Sequence, residues 1–181
     1  MIKRELYMSR IRPFIGGELI KVMTGIRRSG KSVMLDLIKE ELVESGIDSA
    51  QFISINFEDM RYAYLCNAQV LHEEILHRAE TIQDKVYLFF DEIQEVKDWE
   101  KCINSLRVAL DCDIYITGSN AKLLSGELAT YLGGRYVEFV IYPFSFAEFL
   151  ELYRPIAPQA SIQQCFQKYL LSGGMPYLAN L

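Results

Sequence analysis

Gly25-Ile26-Arg27-Arg28-Ser29-Gly30-Lys31-Ser32 is the stretch from which the rest of the chain can be read. It fits the phosphate-binding loop pattern: a glycine, four free positions, then Gly-Lys-Ser/Thr. Gly25 and Gly30 let the backbone fold back through φ/ψ regions that a side chain forbids, so successive N–H groups converge on one anion. Lys31 reaches the β- and γ-phosphates as a point charge, and the Ser32 hydroxyl is a ligand for Mg²⁺. Arg28, Ser29 and Val33 complete the residues expected around the nucleotide. A helix opening at Lys31 aims its N-terminal dipole at the same phosphates.

Both flanks carry the context that this pattern needs. Leu19-Ile20-Lys21-Val22-Met23-Thr24 is a β-prone run leading in. From Lys31 to about Ser45, Met34, Leu35, Ile38 and Leu42 form an apolar stripe opposite Asp36, Lys39, Glu40 and Glu44, with Gly46 as the stop.

Val86-Tyr87-Leu88-Phe89-Phe90-Asp91-Glu92 is the second chemical feature. Its five apolar residues describe a central strand buried on both faces, and two carboxylates stand at its tip. Acidic groups there are costly unless a cation or water occupies them. Asp91 is placed to hold Mg²⁺ and its water shell, and Glu92 to orient and deprotonate an attacking water.

Other elements follow in alternation. Gln51 to Phe57 predicts a strand, with Asn56 at its C-terminal end, where ligand-facing residues of open α/β sheets gather. Asn67 to about Ala79 predicts a helix, and Asp98 is expected to cap another that carries Trp99, Ile103, Leu106 and Leu110. Asp113 to Asn120 gives a strand ending in polar residues. Ser119 and Asn120 either bond the γ-phosphate or attacking water, or Asn120 caps the helix bearing Leu123, Leu124 and Leu128. After Gly133-Gly134-Arg135, Tyr136 to Ile141 predicts a fifth strand. The tail is helical in pattern, with Phe146, Phe149 and Leu150, then Ile162, Phe166, Tyr169 and Leu170, punctuated by Gly173-Gly174-Met175-Pro176. Strands alternating with helices of about a dozen residues argue a parallel sheet covered on both faces.

With 181 residues the chain suits one well-buried domain. Its longest apolar run is far short of a membrane span, and no signal pattern precedes Met8, so no membrane partner is expected. Cys66, Cys102, Cys112 and Cys165 are dispersed without a C-x-x-C pair, which disfavours zinc and favours free thiols in a reducing cytoplasm. Net charge is −5, yet residues 1–31 carry +6 and the remainder −11. Two readings of that basic leading segment stand: contact with nucleic acid or an acidic partner, or a solvated face beside three charges of the phosphate pocket. Met1 to Ile15 reads as a short basic helix or arm, with Leu6, Ile11, Phe14 and Ile15 for packing.

Taken together, Thr24 to Ser32, Leu88 to Gln94, Ile116 to Leu124 and Leu128 to Phe149 resemble a P-loop NTPase of the AAA superfamily. The nearest likeness is to prokaryotic AAA-like ATPases that often carry a C-terminal domain of unknown role. The resemblance implies an α/β three-layer sandwich with a mostly parallel five-stranded sheet of the additional-strand type, followed by a short helical C-terminal segment. In that sheet a sensor strand separates the Asp91 strand from the phosphate-loop strand. It further implies ATP and Mg²⁺ as ligands, Asn120 (or Ser119) as sensor, and Arg135 as an arginine finger acting on a neighbouring subunit of a homo-oligomer. Surface pairing of Arg135 with Glu138 or Glu127 is the alternative. Asn56 matches the polar residue that holds the catalytic glutamate aside in some members. The expected division is a basic arm or helix at 1–18, an ATPase domain at 19–142, and at 143–181 the start of a truncated lid or second domain. The expected activity is ATP hydrolysis that drives a conformational change in a partner or an absent domain. A small-acceptor kinase and a non-hydrolysing nucleotide switch are the rival classes.

Overall fold

A computed structural model describes residues 2–119 and 132–175. Five strands, β1 (Ile20–Gly25), β2 (Phe52–Asn56), β3 (Val86–Asp91), β4 (Cys112–Ser119) and β5 (Tyr136–Val140), pair in the order β2-β3-β4-β1-β5. Every pairing is parallel. The sensor strand β4 lies between β3 and β1, as the resemblance implies, and all five strands run the same way rather than mostly so.

The period of two along each strand splits the core into two layers. On one face Ile20, Val22, Leu88, Phe90, Ile114 and Ile116 pack under α3 (Ala68–Ala79) and α4 (Trp99–Ala109). On the other, Met23, Tyr87, Phe89, Tyr115 and Phe139 pack under α1 (Glu5–Ile11) and α2 (Lys31–Glu44). Phe89 and Tyr115 stack at 4.9 Å across β3 and β4. The result is a three-layer sandwich, and because its strands are parallel, their C-terminal ends all open on one edge. Burial raises the Cys102 thiol to about 12 and Cys112 to about 11, which keeps both protonated and inert.

The basic leading segment is a solvated face only in part: Lys3 and Arg10 are exposed, but other charges turn inward or are paired. Arg4 and Lys21 are buried, and Arg12 is held between Glu5 and Glu41. Lys21 pairs with Asp113 inside the α1/α2 layer and also donates to the Gly17 carbonyl at 3.0 Å. Asp113 in turn accepts the Tyr115 hydroxyl at 2.7 Å and the Gly16 amide at 2.6 Å. This network anchors the turn before β1 to the sheet. In α1 the buried face is Tyr7, Met8 and Ile11, and Phe14 and Ile15 pack against the same layer as expected, whereas Leu6 is exposed.

Two further helices, α5 (Phe146–Tyr153) and α6 (Ile162–Ser172), follow β5. Capping boxes open both, Ser145 with Glu148 and Ser161 with Gln164. Phe146, Phe149, Phe166 and Tyr169 make the aromatic contact between them. Of the predicted α6 stripe, Ile162, Phe166 and Leu170 are largely exposed. The chain then folds back, and the Phe144 amide donates to the Gly174 carbonyl at 2.6 Å. Only a glycine fits there, since a Cβ on residue 174 would lie 2.3 Å from the Phe144 carbonyl oxygen. Asp98 does not cap α4 with its side chain: it adopts a left-handed backbone, and its carboxylate pairs with Lys101 at 3.0 Å instead.

Candidate active site

β1 ends on Gly25, whose φ is 150° and which presses against the strand-to-helix connection. A Cβ there would lie 2.3 Å from the Ile141 carbonyl oxygen and 2.9 Å from Ser29 Oγ. Arg28 (φ 67°) and Gly30 (φ 98°) take left-handed backbone conformations that turn the loop back toward α2. Gly30 is the N-cap of α2 and offers no side-chain oxygen, so the first amides of the helix remain available to an anion.

The predicted loop residues divide by environment. Lys31 is only 4% exposed. Its Nζ lies 3.3 Å from the Ile26 carbonyl oxygen and 3.4 Å from Glu92 Oε1. Arg28, Ser32 and Val33 face outward. Ser29 is fully buried, its N–H donates to the Ile26 carbonyl and its C=O accepts from Arg4. Its side chain therefore packs behind the loop.

At the tip of β3, Asp91 is buried and accepts a hydrogen bond from the Thr117 hydroxyl on β4. The same hydroxyl oxygen accepts the Glu92 amide at 2.9 Å. Glu92 adopts φ 54°, a left-handed turn that swings its carboxylate off the strand, where Gln94 Nε2 donates to it at 2.5 Å. Sequence reading passed over Thr117 and Gln94. The signal for Thr117 was a hydroxyl in the middle of an apolar strand.

Asn56 is level with Asp91 on the neighbouring strand. Its side-chain oxygen accepts the Glu58 amide at 2.9 Å, so it closes its own turn, and Gln94 and Lys31 rather than Asn56 engage Glu92. Ser119 stands beside Gly25 in register, while Asn120, together with Glu127 and the expected helix with Leu123, Leu124 and Leu128, lies outside the described residues. Arg135 is exposed at the opposite edge of the sheet. Its carbonyl accepts the Ile20 amide at the start of β1, roughly 17 Å along the strand direction from Gly25. Its expected surface partner Glu138 instead accepts the Thr24 hydroxyl at 2.6 Å.

A cleft of about 170 Å³ beside the loop is lined by Ser32, Asp36, Lys39, Ser54, Asn56 and Asp91. Mg²⁺ keeps several waters and takes one or two carboxylates plus phosphate oxygens, so a hydroxyl and a carboxylate fixed by a hydrogen bond suit it. Among the described residues no cluster of three or more His, Cys, Asp or Glu forms a dedicated metal cage. Wider clefts, such as that of about 780 Å³ between residues 2–6 and α5, carry none of the loop chemistry.

Residues 18–150 match the family model of an AAA domain. An uncharacterized protein of Haemophilus influenzae is 44% identical over 176 residues, covering 97% of this chain and 44% of its own length. An uncharacterized protein of Methanocaldococcus jannaschii is 36% identical over 166 residues, covering 87% of this chain and 35% of its own. The chain thus spans less than half the length of these relatives. In fold it is similar to Hsp104 of S. cerevisiae solved with casein (TM-score 0.62, 15% identity, 99% of this chain and 36% of that one). It is also similar to the Orc1 protein of Aeropyrum pernix solved with DNA (TM-score 0.61, 14% identity, 88% and 50%) and to Cdc6p of Pyrobaculum aerophilum (TM-score 0.57, 14%, 82% and 48%). Among the described residues no helix is long and apolar enough to cross a membrane.

Proposed function

Because the chain belongs to the AAA-domain family of nucleotide-binding P-loop NTPases, we propose that it binds ATP at residues 25–33 and hydrolyses it to drive a conformational change in a partner or a further domain. The observation that carries this reading is the convergence of Lys31, Asp91 and Glu92, with one hydroxyl, Thr117, touching both carboxylate-bearing residues. Water attacks the γ-phosphorus in line as the bond to the bridging oxygen breaks, and Glu92 takes its proton. Lys31 stands 3.4 Å from that glutamate, so one ammonium can brace the γ-phosphate oxygens and orient the base. Ser32 and Asp91 are the residues that would hold Mg²⁺, which when bound neutralises charge on the β- and γ-phosphate oxygens.

Arg135 is assigned as a finger for a neighbouring subunit, because its position at the far edge of the sheet keeps it from its own Lys31. Asn120 is assigned to sense the γ-phosphate, since β4 ends beside Gly25. The division at 18/19 and 142/143 and a cytoplasmic location belong to the same reading, the latter supported by four free cysteines. Contact with nucleic acid gains little support from a leading segment whose Arg4 and Lys21 are buried.

Titration calorimetry and steady-state hydrolysis test the reading together. Lys31→Ala is expected to lose most Mg·ATP affinity. Glu92→Gln is expected to bind Mg·ATP yet turn over at least about a hundredfold more slowly, the usual loss of a general base. Wild-type binding in the first variant, or wild-type turnover in the second, removes the assignment.

A further inference from the structure

We propose that Arg4 is a positioning residue that couples the phosphate loop to the α5–α6 pair, so that nucleotide in the loop tightens those helices. The proposal rests on the ATP-binding reading and adds a residue outside every motif that supports it.

Arg4 is only 2% exposed, unusual for a guanidinium. All three of its nitrogens are spent on different parts of the fold. One donates to the Ser29 carbonyl at 2.9 Å inside the phosphate loop. A second donates to the Tyr142 carbonyl at 2.8 Å in the connection after β5, and the third to Glu148 Oε1 at 2.8 Å on α5. The planar group lies against the Tyr7 ring at 4.6 Å and the Phe144 ring at 5.1 Å. A flexible ammonium cannot reproduce a three-way fork of this kind. Arg4 also holds a left-handed backbone (φ 46°, ψ 48°), a conformation that costs a non-glycine residue free energy and persists where surroundings over-determine it.

The bond to Ser29 bears directly on phosphate binding. In the trans peptide that joins Ser29 to Gly30, the C=O and the N–H point to opposite sides. Holding the carbonyl on Arg4 therefore fixes the Gly30 N–H facing away from Arg4, in the stretch that begins α2. The loop is tied to the same connection a second time, where the Ile141 amide donates to the Thr24 carbonyl at 2.7 Å. The Tyr7 hydroxyl accepts the Tyr142 amide at 3.1 Å and completes the clasp. An anion that orders the Ser29–Gly30 peptide thereby fixes Arg4, and through it Glu148. Linkage requires the reverse as well: a docked α5 favours the loop that binds nucleotide.

Hydrogen exchange and calorimetry on the whole chain, with and without Mg·ATP, decide the matter. In the wild type, nucleotide is expected to slow amide exchange both at residues 30–33 and at residues 149–153 of α5. Arg4→Met is expected to keep protection at the loop, lose it in α5, and bind about tenfold more weakly, the usual effect of one lost charge-assisted hydrogen bond. Glu148→Gln retains an acceptor for the Ser145 cap. It is expected to bind within threefold of wild type while α5 protection falls. A purely structural role would lower thermal stability and leave the nucleotide-induced protection of α5 intact, and that result in both variants overturns the proposal. If Arg4→Met does not fold, Glu148→Gln alone decides. A wild type that binds ATP without protecting α5 overturns the coupling and leaves the ATP-binding reading standing. A wild type that binds no ATP removes both.

Discussion

Thr117→Val replaces one hydroxyl with a methyl at the point where Asp91 and Glu92 are held together. Thr117 is fully buried, so no water replaces what is lost. One bond goes to a carboxylate, worth about 1.5–3 kcal/mol, and the other accepts the Glu92 amide at 2.9 Å, worth about 0.5–1.5 kcal/mol. The added methyl returns about 0.8 kcal/mol of apolar burial. A net loss of about 1.2–3.7 kcal/mol is expected, which at about 2–4 °C per kcal/mol for a chain of this size lowers Tm by roughly 2–15 °C. The functional loss should exceed the loss of stability. Asp91 and the left-handed turn at Glu92 both lose their fixed orientation, and slight misplacement of a catalytic group can cost about a hundredfold in rate. Guanidinium unfolding and single-turnover ATP hydrolysis measure the two effects separately. Thr117→Ser keeps the hydroxyl and should restore hydrolysis to within a few-fold of wild type. Normal turnover in Thr117→Val, or failure of Thr117→Ser to rescue, would refute the role given to this hydroxyl.

Lys21→Met strands the Asp113 carboxylate in the core and should cost about 3–5 kcal/mol in denaturant unfolding, as breaking one side of a buried ion pair does; a cost below about 1 kcal/mol would mean that Tyr115 and Gly16 satisfy Asp113 alone. Burial works to raise the Glu148 pKa, but the Arg4 hydrogen bond and the Ser145 amide outweigh it and hold the carboxyl below its usual 4.5. The contribution of this depressed carboxyl is therefore present above pH 4.5 and lost as pH falls through its folded value, so wild type and Glu148→Gln should differ in stability at pH 7 and converge once the pH lies below that folded value. If Arg135 acts in trans, mixing Arg135→Ala with Lys31→Ala should give more hydrolysis than the sum of the two alone, because one supplies an intact pocket and the other an intact finger. No recovery, with a wild-type rate per subunit independent of concentration, would return Arg135 to the surface.

What could be read from sequence was what is local in sequence. The loop at 25–32, the acidic tip of β3 and the stripe of α2 each lie within one element, so spacing alone carries them. The sheet order came only with the family resemblance, and the features missed depend on it, on tertiary burial or on backbone conformation. Thr117 matters because β4 lies beside β3, which no periodicity within β4 discloses. Arg4 and Lys21 count as surface charge in any composition, and only tertiary burial turns them into internal struts. Ser29 sits inside the motif yet behind it, since a left-handed Arg28 turns its neighbour inward. Asp98 has the right residue type for a cap and the wrong backbone. The α6 stripe has the right period, yet among the described residues Ile162 and Leu170 meet little that would bury them.

The hydrogen bond between Phe144 and Gly174 makes the α5–α6 pair a doorway structure: some thirty residues leave and rejoin the body across a gap one bond wide. With the Arg4–Glu148 pair as its second tie, the module can turn about this point without stretching the chain on either side. With its pivot beside Ile141 and Tyr142, it forms a lever whose short arm touches the phosphate loop and whose long arm is α6. Eleven helical residues span about 16 Å, so a 10° rotation at the doorway would carry the far end of α6 by about 3 Å. Sub-ångström adjustments around an anion would thereby reach the exposed Ile162, at the end of α6 away from Gly174, as a displacement large enough to gate a contact.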